Sequence, residues 1–170
     1  MLGKVTRTID AFNIKQGEIS SLLALPLLVV VVYEVFMRYV FNAPTSWGFE
    51  LTTFIYGVHY MLGLAYCDAL GGHVRVDIFT GRLSHRGQGI IGIVTTLLFF
   101  MPVMICMTAA SWKYALASIA GRELNSTSWA PPIYPIKTLM ALAFTFLLVQ
   151  GIANLLHNIS VLKGKREGVR

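Results

Sequence analysis

The sequence predicts an all-α membrane protein of four transmembrane helices with short amphipathic surface helices and both termini in the cytoplasm. Three observations lead there. Four stretches, about 19–41, 47–70, 89–112 and 138–156, are nearly free of charge and long enough to cross a bilayer, which takes about 20 mostly apolar residues. None of them alternates apolar and polar residues as a barrel strand would, and lipid tolerates only helices or closed barrels. Charged residues make up 13% of the chain and hydrophobic ones 55%, which leaves no room for a soluble catalytic domain. The whole chain, 1–170, reads as one integral membrane domain without an internal repeat.

The elements follow in order. The first eighteen residues are mixed and lack the pattern of a cleaved signal. Ile9, Phe12 and Val5 could share one face of a helix on the membrane surface, or the segment could be a frayed tail. The first two spans form a tight hairpin. Its turn, Asn42 to Ser46, supplies Pro44 as a stop and then a hydroxyl N-cap for the second span. Gly71-Gly72 ends the second span, and a short amphipathic helix can follow in 73–83. The longest connection, from the third span to the fourth, carries Trp129 and Tyr134, rings suited to headgroup depth.

Charge fixes the expected orientation. Ten of the fourteen basic residues fall on one side: Lys4, Arg7, Lys15, Arg75, Arg82, Arg86, Lys163, Lys165, Arg166 and Arg170. Only Arg38, Lys113, Arg122 and Lys137 fall on the other, so the positive-inside bias puts both termini in the cytoplasm. The net charge of +6 is then a topology signal with some attraction to anionic lipid, not a sign of nucleic-acid binding. Cys67 and Cys106 have neither metal-ligand nor redox spacing and read as packing residues.

Polar residues inside the spans are the candidate sites, since charge in a bilayer normally faces the protein interior or a partner. Glu34 and Arg38 are spaced i,i+4, which suits an intrahelical ion pair or a reach into another subunit. Glu50 opens the second span, where a carboxylate complements the helix dipole, and a pair with Arg38 would pin the hairpin. Asp68, His73, Arg75 and Asp77 read as a polar network fixing the loop after the second span. Lys137 can snorkel to the outer interface, and Gln150 can hydrogen-bond across helices. No nucleophile–base pair, phosphate-binding loop or metal motif is apparent, so no enzyme activity and no cofactor is expected.

Residue by residue, the chain resembles the small membrane subunit of tripartite ATP-independent periplasmic (TRAP) transporters. The likeness runs through Glu34-Val35-Phe36-Met37-Arg38-Tyr39-Val40-Phe41, then Pro44, Trp47 and Glu50-Leu51. It continues in Gly72-His73-Val74-Arg75-Val76-Asp77, Gly121-Arg122-Glu123, Tyr134-Pro135-Ile136-Lys137 and Leu147-Leu148-Val149-Gln150-Gly151. The resemblance implies a scaffold in the inner membrane for a large elevator-type subunit. That partner is expected to hold the substrate and the coupling sodium, with a periplasmic binding protein delivering an organic acid. The small subunit is expected to help dock the binding protein, and a bound lipid is compatible with this role. On this reading Arg38, Trp47 and Glu50 lie near the boundary with the large subunit. Two other readings compete: a small self-sufficient proton-coupled exporter using Glu34, and a haem-binding anchor using His59 and His157.

Overall fold

The computed structural model describes residues 2–72 and 84–162, and these are helical apart from their connections. Helix α1 covers Leu2–Ser21, α2 Ala24–Tyr39 and α3 Gly48–Ala69. After the undescribed residues 73–83 come α4, His85–Thr95, a π-helical turn, Thr96–Phe100, and α5, Met101–Ala120. Helix α6, Tyr134–Leu162, has 29 residues and is about 44 Å long. It is the hub: α1, α3 and the α4–α5 rod all pack on it, while α2 packs on α3. Among the described residues, three stretches are long and apolar enough to cross a membrane: Gly3–Tyr39, Gly87–Ala120 and Tyr134–Ser160. Helix α3, with 22 residues, has the length but not the hydropathy, because Thr52, Thr53, Tyr56, His59, Tyr60 and Tyr66 interrupt its apolar character.

Prolines shape the two longest rods. Pro26 has no N–H to give to the Leu22 carbonyl, and its ring crowds that carbonyl. The chain tightens there instead: Leu25 N–H donates to Leu22 O at 3.1 Å and Leu23 N–H to Ser20 O at 3.1 Å. The expected first span is therefore divided at residues 22–23, and the segment before it is a full helix rather than a frayed tail. Pro102 acts similarly on the other rod. The turn before it widens, and Met101 N–H reaches back to Thr96 O, a π-type bond that accommodates the proline ring.

Small residues bring the helices together. Apart from Met104 and Leu147, the buried hydrophobic residues among those described are all alanines: Ala65, Ala69, Ala115, Ala141, Ala143 and Ala153. Lipid tails are as apolar as leucine, so helix association in a bilayer depends on such close approach. Ala65, Met104 and Leu147 form the centre, ringed by Leu64, Phe100, Phe144, Phe146 and Leu148. Two glycines receive aromatic rings from facing helices. A Cβ on Gly17 would overlap Tyr66, and one on Gly151 would overlap Phe100. The hairpin between α2 and α3 turns at Asn42, whose positive φ of 50° asparagine adopts readily.

Gly151→Leu is expected to lower the stability of the purified subunit by about 1–3 kcal/mol, the usual penalty for overpacking. Gly63→Leu, where a Cβ meets nothing within 4 Å, is expected to change it little. Thermal unfolding of both variants in the same detergent checks the contrast.

Candidate functional site

The polar residues gather at two levels, one at the end where α2 meets α3 and one just past the middle of α6. At the end where α2 meets α3, Glu34 is buried and organises the hairpin. Arg38 donates to its Oε1 at 2.9 Å, and the Thr45 backbone N–H donates to Oε2 at 3.3 Å. The Thr45 hydroxyl also bonds Oε2, and its oxygen accepts from the Gly48 N–H at 3.0 Å. Thus a hydroxyl does secure the start of α3, and Glu34 holds that hydroxyl in place. Trp47 stacks on Tyr33 with ring centroids 5.7 Å apart, closing the hairpin on its flank.

The expected Arg38–Glu50 pair does not form. Glu34, one turn back on the same helix, takes the guanidinium, and Glu50 accepts instead from Asn125 Nδ2 at 3.2 Å. That bond ties α3 to the connection between α5 and α6. The connection folds back on itself: Asn125 N–H donates to Pro131 O at 2.9 Å and Ile133 N–H to Glu123 O at 3.1 Å. Lys137 is buried and does not snorkel outward. Its ammonium meets Glu123 Oε2 at 2.5 Å and lies 3.8 Å from the centre of the Tyr114 ring. The pairing of Glu123 with Lys137 across fourteen residues has no helical spacing to announce it.

The other level was only partly visible in the sequence. Gln150 and Asn13 are both fully buried. Asn13 Nδ2 donates to Gln150 Oε1 at 2.7 Å, and Gln150 Nε2 donates to Asp10 Oδ1 at 2.8 Å. One turn along α6, Asn154 Nδ2 donates to Asp68 Oδ2 at 2.9 Å. Nearby, Gln16 Nε2 donates to the Leu62 carbonyl at 3.1 Å. Gln150 thus does bond across helices, but its partners come from the N-terminal segment. The buried residues Thr6, Asp10, Asn13, Gly17 and Ser20 repeat at 4-3-4-3 spacing on α1. A 3.5-residue repeat of small and polar residues was the signal that an apolar search misses. The exposed side of α1 mixes apolar Val5, Phe12 and Ile19 with charged Lys4, Arg7, Lys15 and Glu18, so the helix is polar on its packed face and mixed on its outer one.

Other candidates are dispersed. His59 Nδ1 lies 3.0 Å from the Ser20 carbonyl, midway along α3. His157 is near the far end of α6, with Leu147 already level with Ala65, so the two histidines stand at different heights. His73, Arg75 and Asp77 lie outside the described residues.

Electrostatics at the α5–α6 connection are set by one pair. The Lys137 ammonium holds the Glu123 carboxyl below its ordinary pKa. A carboxylate depressed in the folded state stabilises fully above its unfolded pKa and loses that contribution as pH falls through the folded value. The thermal midpoint is therefore expected to drop on acidification below about pH 4, and Glu123→Gln is expected to flatten that limb. Gln150→Leu takes away the buried amide that accepts from Asn13 on α1 and is expected to cost about 1–3 kcal/mol at any pH, measured in the same unfolding assay.

A search among curated proteins finds no match. The family profile described as "Tripartite ATP-independent periplasmic transporters, DctQ component" matches residues 27–161, most of the chain, including most of α2, all of α3 and the α4–α5 rod, and nearly all of α6. The chain is thus a transporter component and not an enzyme: it belongs to the DctQ family, the small membrane subunits of tripartite ATP-independent periplasmic transporters, which work with a large membrane subunit and a periplasmic binding protein.

Proposed function

We propose that this chain is the fixed scaffold subunit of a sodium-coupled transporter importing organic acids across the bacterial inner membrane. In this reading α3 is a fourth span beside the three more apolar stretches, and both termini are cytoplasmic. The distribution of basic residues supports that orientation, with ten of fourteen at one end. The large subunit carries substrate and sodium and performs the elevator motion. The small subunit broadens its stationary part in the membrane and offers the binding protein a landing surface at the outer end.

The observation that carries this reading is the inward satisfaction of the chain's own charges. Glu34 is engaged by Arg38 and Thr45, Glu50 by Asn125, and Glu123 by Lys137. A site that binds and releases an ionic substrate needs polar groups free to exchange partners. These groups instead tie turns and helices together, as a rigid support requires. The same bonds argue against proton exchange at Glu34, whose oxygens are both occupied. Trp47 and Arg38 stand at the hairpin, beside the proposed boundary with the large subunit and its lipid.

Vesicles holding this subunit alone are expected to accumulate no solute, whereas vesicles with the large subunit, binding protein and a sodium gradient take up substrate. Arg38→Ala and Glu50→Ala are each expected to reduce co-purification with the large subunit and uptake together. Wild-type assembly and uptake in both variants would remove these residues from the boundary.

A further inference from the structure

Helix α3 shows two unlike faces. One is packed against α1, α2 and α6. The other exposes Phe49, Thr53, Tyr56 and Tyr60, spaced 4-3-4, so they form one straight stripe. Tyr56 and Tyr60 are 49% and 59% exposed, and Phe49 is 74% exposed. Gly57 and Gly63 flank the tyrosines, and a Cβ at either would meet nothing within 4 Å.

The other outward faces differ in chemistry. The first half of α2 shows Leu25, Leu28, Val29 and Val32, and the middle of the α4–α5 rod shows Leu97, Leu98, Phe99, Val103 and Ile105, while the exposed tyrosines of these rods, Tyr33, Tyr39 and Tyr114, lie toward the hairpin and the α5–α6 connection. Those apolar faces suit lipid tails. The α3 stripe does not. With α3 spanning Gly48–Ala69, both tyrosines lie within about 4 Å of its midpoint, far from the headgroup level that tyrosine prefers. Their rings are paired, with centroids 4.4 Å apart. Each hydroxyl has one donor, so even a bond between them leaves one O–H needing an acceptor. Hydrocarbon has none. The open glycines beside the pair let another backbone come close, as small residues do at membrane helix interfaces.

We propose that this stripe, from Phe49 to Gly63, is the seam against which a transmembrane helix of the large subunit packs. That helix supplies an oxygen acceptor to the Tyr56–Tyr60 pair and approaches most closely at Gly57 and Gly63. The seam is continuous with Trp47 and Glu50 at the hairpin, the end proposed above to border the same partner. The inference rests on that functional reading and adds the face and its chemistry.

Photo-crosslinking in membranes containing the whole transporter tests it. With Tyr60→p-benzoylphenylalanine or Tyr56→p-benzoylphenylalanine, the main product is expected to have the summed mass of this chain and the large subunit. The same group at Leu28 or Leu98 is expected to give little of that product. Gly63→Leu is expected to lower recovery of the large subunit by on the order of tenfold while the isolated subunit keeps its thermal midpoint. If the large subunit co-purifies but position 60 crosslinks only to lipid or to a second copy of this chain, the seam is wrong and the scaffold reading stands. If no large subunit co-purifies with the wild-type chain, both fail.

Discussion

A bilayer offers no hydrogen-bond partner, and that constraint organises the molecule. Every polar group placed at membrane depth must meet another polar group of the protein. Glu34 meets the turn that follows its helix, Gln150 meets α1, and Asn154 meets Asp68. The energies show what these bonds achieve. A satisfied side-chain bond between membrane helices contributes only about 0.6 kcal/mol on average, whereas an orphaned buried group costs about 1–3 kcal/mol. The polar contacts therefore do little to hold the bundle together. They penalise every helix arrangement that would separate the partners, so they fix register. Cohesion comes from the alanines and glycines that let α6 lie against its neighbours.

The N-terminal helix follows this logic on its packed face. That face carries Thr6, Asp10, Asn13, Gly17 and Ser20, while the exposed side mixes Val5, Phe12 and Ile19 with Lys4, Arg7, Lys15 and Glu18. The inward polar groups find their partners on α3 and α6. The join to α2 at residues 22–23 lets this segment take a different direction from the apolar rod that follows.

Length and apolarity made three of the membrane stretches legible in the sequence, and the helical spacing of Glu34 and Arg38 made their pair legible too. The hairpin was readable from Pro44 and the hydroxyl residues beside it. What escaped was set by tertiary contact. Glu50 lies near Arg38 in the sequence logic of a hairpin, but Glu34 is already on the guanidinium's own helix and needs no loop ordering to reach it. Lys137 at the start of α6 looked destined for the interface, and only the fold-back of the preceding connection brings Glu123 to it. The break at Pro26 lay inside an uninterrupted apolar run, where hydropathy carries no mark of a missing N–H. Asn13 and Asp10 were hidden because the packed face of α1 is made of small and polar residues and leaves no apolar stripe in the sequence.

The outer surface of the bundle can be read with the same constraint as the interior. A face made of leucine and valine asks nothing of its surroundings, and lipid satisfies it. A face with tyrosine hydroxyls and bare glycines near mid-depth does ask for something, because hydrocarbon neither accepts a hydrogen bond nor fills a glycine notch as closely as a helix does. Inside the chain comparable demands are met: Trp112 Nε1 finds the Thr145 hydroxyl at 3.0 Å, and Gly151 receives Phe100. On the exposed stripe of α3 the two tyrosines meet only each other and the His59 ring, and the glycines beside them stay open. In a family whose members work beside a large membrane subunit, the economical explanation is that the bundle's packing rules continue across the boundary, with α3 as the helix shared by both.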